Sequence, residues 1–229
     1  MEELFAAVAA FFVKIDWQLV AKGFRESLYM TLVSSAFAYA IGLPLGVVLA
    51  VTDSNGLRPV RWISTVLGVI INVLRSIPFL ILLILVIPVT RAIVGTMVGS
   101  TATIVPLTIS AAPFIARVVE SSLKEVDAGV IQASRSMGAS PMQIIWKVLL
   151  AEARPSLLVG ASITVTTILA YSAMAGAVGG GGLGDVAIRY GYYRYQKEMM
   201  FTTVALLVVI VQVFQEVAMR LVRRVDRRL

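Results

Sequence analysis

Along this chain, apolar positions come in long unbroken stretches instead of alternating with polar ones. No Asp, Glu, Lys or Arg lies between Glu26 and Asp53, from Ala92 to Ala116, from Pro155 to Gly184, or from Met199 to Gln215. A helix needs roughly 20 mostly apolar residues to cross a bilayer. Three of these gaps reach that length, and the fourth continues its apolar pattern beyond Glu216 to Leu221. A further run, Trp62 to Ile87, is interrupted only by Arg75. Backbone groups in lipid must be satisfied within the chain, which leaves helices or a closed barrel, and continuous runs select helices. The pattern therefore predicts an all-α polytopic membrane protein with five transmembrane helices, at Ser27 to Val51, Trp62 to Ile87, Ser100 to Val119, Leu157 to Ala177 and Met200 to Leu221. The domain reading is an N-terminal interfacial segment (1–26), a transmembrane domain (27–222) and a basic cytoplasmic tail (223–229).

The longest polar interruption, 120–155, has a helical period. Val126, Val130, Ala133 and Met137 follow an i, i+4, i+7, i+11 pattern that makes one apolar stripe. Gly138 then offers the left-handed position that ends a helix. Ser140 and Pro141 suit the cap and first turn of a second helix, whose apolar face would be Met142, Ile145, Trp146 and Leu149. The loop reads as helix, tight corner, helix, lying beside the membrane.

Composition supports the membrane reading: 59% of residues are hydrophobic, 14% are charged and the mean hydropathy is +0.89, where a soluble domain carries about 25% charged residues. The net charge of +7 is read as loops facing anionic membrane lipid and not as a nucleic-acid surface. With five spans the termini lie on opposite sides. A cytoplasmic C-terminus puts Arg58, Arg61, Arg117, Lys124, Arg135, Lys147, Arg154, Arg220, Arg223, Arg224, Arg227 and Arg228 inside, and Lys14, Lys22, Arg25, Arg91, Arg189, Arg194 and Lys197 outside. The positive-inside rule favours that orientation, although Lys22 and Arg25 ahead of the first span oppose it. Glu2 and Glu3 stand where a cleaved signal would carry positive charge, and Leu4 to Val13 is read as interfacial. The chain has neither Cys nor His, which removes disulfides, thiolate chemistry and imidazole-based metal or acid–base sites.

The stretch QASRSMGASPMQIIWKVLLAEARP, Gln132 to Pro155, resembles the cytoplasmic signature loop of bacterial type I ABC importer permeases. That pattern is Glu-Ala-Ala, three residues, Gly, then about nine residues to Ile-x-Leu-Pro. Gln132, Ala133 and Ser134 stand at the Glu-Ala-Ala positions and Gly138 at the Gly, with Val148 and Leu150 at the Ile and Leu and Ala151 in place of the Pro. Asn72 to Leu83, Ile104 to Glu120 and Ala170 to Tyr192 are similar to the methionine-uptake permeases of this family, which are also short permeases of five spans. The resemblance implies a multi-pass protein of the bacterial inner membrane that works as a homodimer. Two cytoplasmic ATPase subunits would carry ATP and Mg, leaving this chain without cofactor or catalytic residues of its own. An extracytoplasmic substrate-binding lipoprotein would deliver an amino acid, D- or L-methionine. By the same resemblance, Gln132, Ala133, Gly138, Ser140, Pro141, Met142, Ile145 and Leu149 are the expected ATPase-coupling residues.

Arg75 is the one ionisable residue deep inside a predicted span. A lone intramembrane charge faces a cavity or a partner, so it either lines a translocation path or is satisfied structurally by a carbonyl or hydroxyl. Asn72, Arg75, Ser76, Pro78, Tyr171 and Met174 form the candidate path. Pro44, Pro78, Pro106 and Pro113 fall in predicted spans, where they kink helices. Gly179 to Gly182 could be mistaken for a phosphate loop, but no Lys-Ser or Lys-Thr follows and Asp185 adds negative charge. A flexible turn or a close helix approach is the alternative. An ion-coupled secondary transporter or channel is the competing function, and such proteins place Asp, Glu or His within the membrane. Apart from Glu216, near the end of the last one, the predicted spans hold none. An intramembrane enzyme would need a His, a Cys or a carboxylate pair at membrane depth, and no metal site is expected.

Overall fold

A computed structural model describes Met1 and residues 11–225. Ten helices are used below: α1 (Trp17–Thr52), α2 (Arg61–Ser76), α3 (Phe79–Leu85), α4 (Ile87–Val94), α5 (Ser100–Lys124), α6 (Ala128–Ser136), α7 (Pro141–Ile144), α8 (Arg154–Ala175), α9 (Gly182–Val186) and α10 (Lys197–Val225). α7 continues through a π-helical turn, Ile145–Leu149, to Leu150–Glu152. Among the described residues no strand forms. Among the described residues four helices are long and apolar enough to cross a membrane, and five spans result if α2 and α3 count as one broken span. The chain divides into two compact units. The first takes residues up to Ser34, Phe79–Leu107 and Thr166–Val213; the second takes Ser35–Pro78, Thr108–Val165 and the chain from Phe214.

In the first unit, Lys14 Nζ lies 3.2 Å from Glu198 Oε1, Glu26 Oε2 accepts from Gly182 N at 2.9 Å, and Gly99 N donates to Gly179 O at 2.9 Å. These pairings bring the starts of α1, α5, α9 and α10 and the segment after α8 to one end. In the second unit, Asp53 pairs with Lys124 at 2.8 Å and Ser122 Oγ lies 2.9 Å from Ser156 Oγ, so the ends of α1 and α5 meet the start of α8.

The second unit packs α1, α2 and α5 around Leu49, Ile71 and Ala116, with Leu45 and Leu67 against them. The approach is close because Gly42 and Gly46, one turn apart, face α5. A Cβ on Gly42 would lie 2.7 Å from Ala112 O, and one on Gly46 2.5 Å from Ala116 O. Small residues permit this backbone approach where lipid gives no hydrophobic drive.

Three departures from the predicted spans have physical causes. α1 starts at Trp17, so the last ten residues of the predicted interfacial segment are helical; residues 2–10 of that segment lie outside the described residues. Its charges are partnered: Asp16 caps Leu19 N at 3.0 Å, and Lys22 lies 3.8 Å from Glu26. The second predicted span is broken after Ser76, where Ile77 is extended (φ −80°, ψ 123°) and Pro78 disfavours helix in the residue before it. α10 runs through Arg223 and Arg224 to Val225, which makes the start of the predicted tail helical; the rest of the tail lies outside the described residues.

The glycine-rich stretch is a close approach and not a loose loop. Ser27 Oγ accepts from Leu183 N at 2.9 Å, Gly180 N donates to Ala175 O at 2.9 Å, and a Cβ on Gly184 would strike the Ala173 backbone.

Candidate functional site

The corner between α6 and α7 is built from local chemistry. Asp127 Oδ1 accepts from Gly129 N at 2.7 Å and Val130 N at 3.3 Å, capping α6. At the other end Gly138 is left-handed (φ +81°), with Gly138 N donating to Arg135 O at 2.9 Å and Ala139 N to Ser134 O at 3.1 Å, the paired bonds of a Schellman end. Ser140 Oγ accepts from Gln143 N at 3.4 Å, while Gln143 Oε1 accepts from Ser140 N at 2.8 Å. This capping box starts α7 with Pro141 in its first turn. The expected cap, corner glycine and first-turn proline therefore occupy the positions read from the sequence.

The apolar faces divide. Met137 is 81% exposed, Met142 62% and Trp146 64%, while Ile144 and Leu149 are buried and Ile145 is half-buried. The predicted face of Met142, Ile145, Trp146 and Leu149 assumed a 3.6-residue period. The π-helical turn at Ile145–Leu149 inserts a residue, so Ile144 and Leu149, five apart, face inward together. Met137, Met142 and Trp146 are left as mostly exposed apolar side chains, and Val130 and Ala133 are also exposed. Gln132 lines a cavity of about 460 Å³ with Asp53, Leu57, Lys124, Ile131 and Arg135.

A chain of charges that the sequence did not reveal lies beside this corner. α5 runs five residues past its predicted end, and the extension begins with Glu120, which is buried. Glu120 Oε2 accepts from Arg117 Nη1 at 2.7 Å and Glu120 Oε1 from Lys124 Nζ at 2.8 Å. Lys124 also donates to Asp53 Oδ2 at 2.8 Å. Arg117 Nη2 donates to Gly68 O and Asn72 Oδ1 of α2, each at 2.9 Å. The Lys124 ammonium, helped by Asn55 N–H, holds the Asp53 carboxyl below its ordinary range. Asp53 thus stays ionised at neutral pH, and its link weakens only as pH falls through that lowered value. The signal in the sequence was Glu120 with Arg117 and Lys124 at helical spacing, but their partners are 45 to 71 residues away.

The candidate path residues fall into two groups. In the second unit Asn72, Arg75, Ser76 and Pro78 sit at the end of α2 and after it. Asn72 is held by Arg117, Ser76 Oγ donates to Asn72 O at 2.8 Å, and Arg75 is exposed with its guanidinium 5.9 Å from the Phe114 ring centre. In the first unit Tyr171 stacks on Phe79 at 4.5 Å, and Met174 is exposed on the same helix. Among the described residues no group of three or more His, Cys, Asp or Glu could hold a metal.

Over residues 42–229 the chain matches the family described as the binding-protein-dependent transport system inner membrane component. The chain belongs to this family. It is similar to the probable D-methionine transport system permease protein MetI of Vibrio cholerae, 50% identical over 224 residues that cover 98% of this chain and 99% of the relative. It is 53% identical over 160 residues to the D-methionine transport system permease protein MetI of Escherichia coli, covering 70% of this chain and 73% of that one. Among solved structures it matches a chain of the inward-facing MetNI methionine ABC transporter with a TM-score of 0.91 and 50% identity, covering 92% of this chain and 98% of that chain. A chain of an amino acid ABC transporter crystallised with histidines shares the fold, with a TM-score of 0.72 at 22% identity. As an inner membrane component of such a system, this chain is a multi-pass membrane protein.

For such a component, Arg75→Ala is expected to leave insertion intact and to lower substrate uptake roughly fivefold, the scale of one exposed cation–π contact. Uptake into liposomes measures it, and wild-type uptake would reduce Arg75 to local packing.

Proposed function

We propose that this chain is the membrane-spanning permease subunit of an ATP-driven importer that carries methionine, D- or L-, across the bacterial inner membrane. The carrying observation is the likeness to MetI permeases along nearly the whole chain, at 50% identity over 98% of its length. In this reading two copies pair as a homodimer, and an extracytoplasmic substrate-binding lipoprotein delivers the amino acid. Two cytoplasmic ATPase subunits hold ATP and Mg, since this chain has no nucleotide-binding motif. The N-terminus lies outside and the C-terminus in the cytoplasm. The corner between α6 and α7 docks on the ATPase: Met137, Met142 and Trp146 supply apolar contact, while Gly138, Ser140 and Pro141 fix the angle between the helices. A rigid corner can transmit a rigid-body movement, which a floppy loop cannot. Asn72, Arg75, Ser76, Pro78, Tyr171 and Met174 are proposed to line the path.

The test is uptake of labelled methionine by whole cells lacking other methionine importers. Deleting this chain should abolish that uptake. Unchanged methionine uptake, with another solute lost in its place, would overturn the substrate assignment.

A further inference from the structure

We infer that Arg117 and Glu120 are positioning residues that tie α2 to the base of the docking corner, so that movement of the corner is delivered to α2. The inference rests on the corner being the ATPase-docking element. Only two residues separate Lys124 from Asp127, the cap of α6, so a shift of α6 reaches the end of α5 with little slack. A second tether holds the same region: Arg135 Nη2, on α6, donates to Leu57 O at 3.0 Å, in the loop that also carries Asp53. From Lys124 the connection runs through Glu120 to Arg117 and from there to Gly68 and Asn72 of α2.

α2 is where the consequence lies. Arg117 grips it three and seven residues before Arg75, and the helix ends at Ser76. Apolar contacts around Leu49, Ile71 and Ala116 hold the helices together without fixing how far one slides along another. Charge-assisted hydrogen bonds at 2.7 to 2.9 Å fix that register. Glu120 is buried, so its two cationic partners are not readily replaced by water, and removing its charge leaves both of them short of an acceptor.

A purely structural role would lower yield, ATP hydrolysis and uptake together. A positioning role changes the methionine moved per ATP hydrolysed. The measurement uses the full chain with its partner ATPase and binding protein in liposomes, with labelled methionine outside and ATP supplied to the ATPase. Wild type must first take up methionine; failure there would count against the proposed function and not against this inference. Glu120→Gln removes the central charge. Arg117→Lys keeps the positive charge but cannot reach Glu120 and α2 together. Both variants are expected to recover the ATPase as wild type does and to hydrolyse ATP at a similar rate, while methionine moved per ATP falls about tenfold, the scale of a lost charge-assisted hydrogen bond. An unchanged ratio overturns the inference. If either variant fails to assemble, Lys124→Gln decides by the same ratio, because it breaks the connection while leaving the Arg117–Glu120 pair in place. Loss of assembly in all three would mean the chain of charges only holds the fold, and would also overturn it.

Discussion

Met142→Asp is expected to abolish ATP-driven uptake while leaving the protein inserted and dimeric. Met142 stands in the first turn of α7, mostly exposed, beside the exposed Trp146 and across the corner from Met137. At 62% exposed, it is only partly covered by its own chain, so the substitution should disturb internal packing little. Its cost falls on the docked state, where an uncompensated carboxylate would be buried against an apolar groove; that costs several kcal/mol, of order a thousandfold in affinity. Gly138→Val should act at the same place by another route. A Cβ at Gly138 meets nothing within 4 Å, yet its φ is +81°. The penalty is therefore conformational, about 1–2 kcal/mol for a residue with a Cβ and more for a β-branched one. Relief of that strain changes the angle between α6 and α7 and misaligns the exposed side chains. Co-purification of the ATPase with each variant, with uptake in the same preparation, measures both effects. Wild-type recovery and uptake in both would show that the corner does not dock the ATPase.

Gly46→Val should instead damage the fold itself. The glycine faces α5 so closely that a Cβ would lie 2.5 Å from Ala116 O and 2.6 Å from Val119 Cβ. The nearest atom is backbone, so no rotamer change relieves the overlap, and α1 and α5 must separate. Forced overpacking of this kind costs about 1–3 kcal/mol or more. Separation would also loosen Leu49 from Ala116 at the centre of the second unit. The detergent-solubilised variant should give much less monodisperse protein, with an unfolding midpoint lowered by about 5 °C or more. Val66→Ala, on the exposed face of α2, is the matched control and should behave as wild type. Normal stability of the Gly46 variant would mean that α1 and α5 do not pack as closely as described.

What could be read in advance follows from what is local. A bilayer imposes long apolar runs, so the spans of α1, α5, α8 and α10 are visible without knowing any neighbour. The corner is equally visible, because Gly138, Ser140 and Pro141 act through their own backbone preferences and through partners three to five residues away. The break after Ser76 is less so: Pro78 signals a kink, but hydropathy cannot distinguish a kinked span from two helices. The π-helical turn at Ile145–Leu149 shifted which side chains are exposed, since no composition marks where a helix takes an extra residue. The charge chain was hidden for a third reason. Glu120, Arg117 and Lys124 read as an ordinary polar helix end, and only folding brings Asp53, Gly68 and Asn72 to them. Arg75, singled out as the lone deep charge, lies over the Phe114 ring, whereas the guanidinium of Arg117 is held by Glu120, Gly68 and Asn72.

The central claim, that this permease is driven by ATP on separate subunits, is tested most directly by reconstitution. Liposomes would hold the purified chain, its partner ATPase and the binding protein, with labelled methionine on the binding-protein side. Methionine should cross only when hydrolysable ATP reaches the ATPase, and an imposed proton or sodium gradient should add nothing. Uptake driven by such a gradient without ATP would contradict the account and favour an ion-coupled carrier.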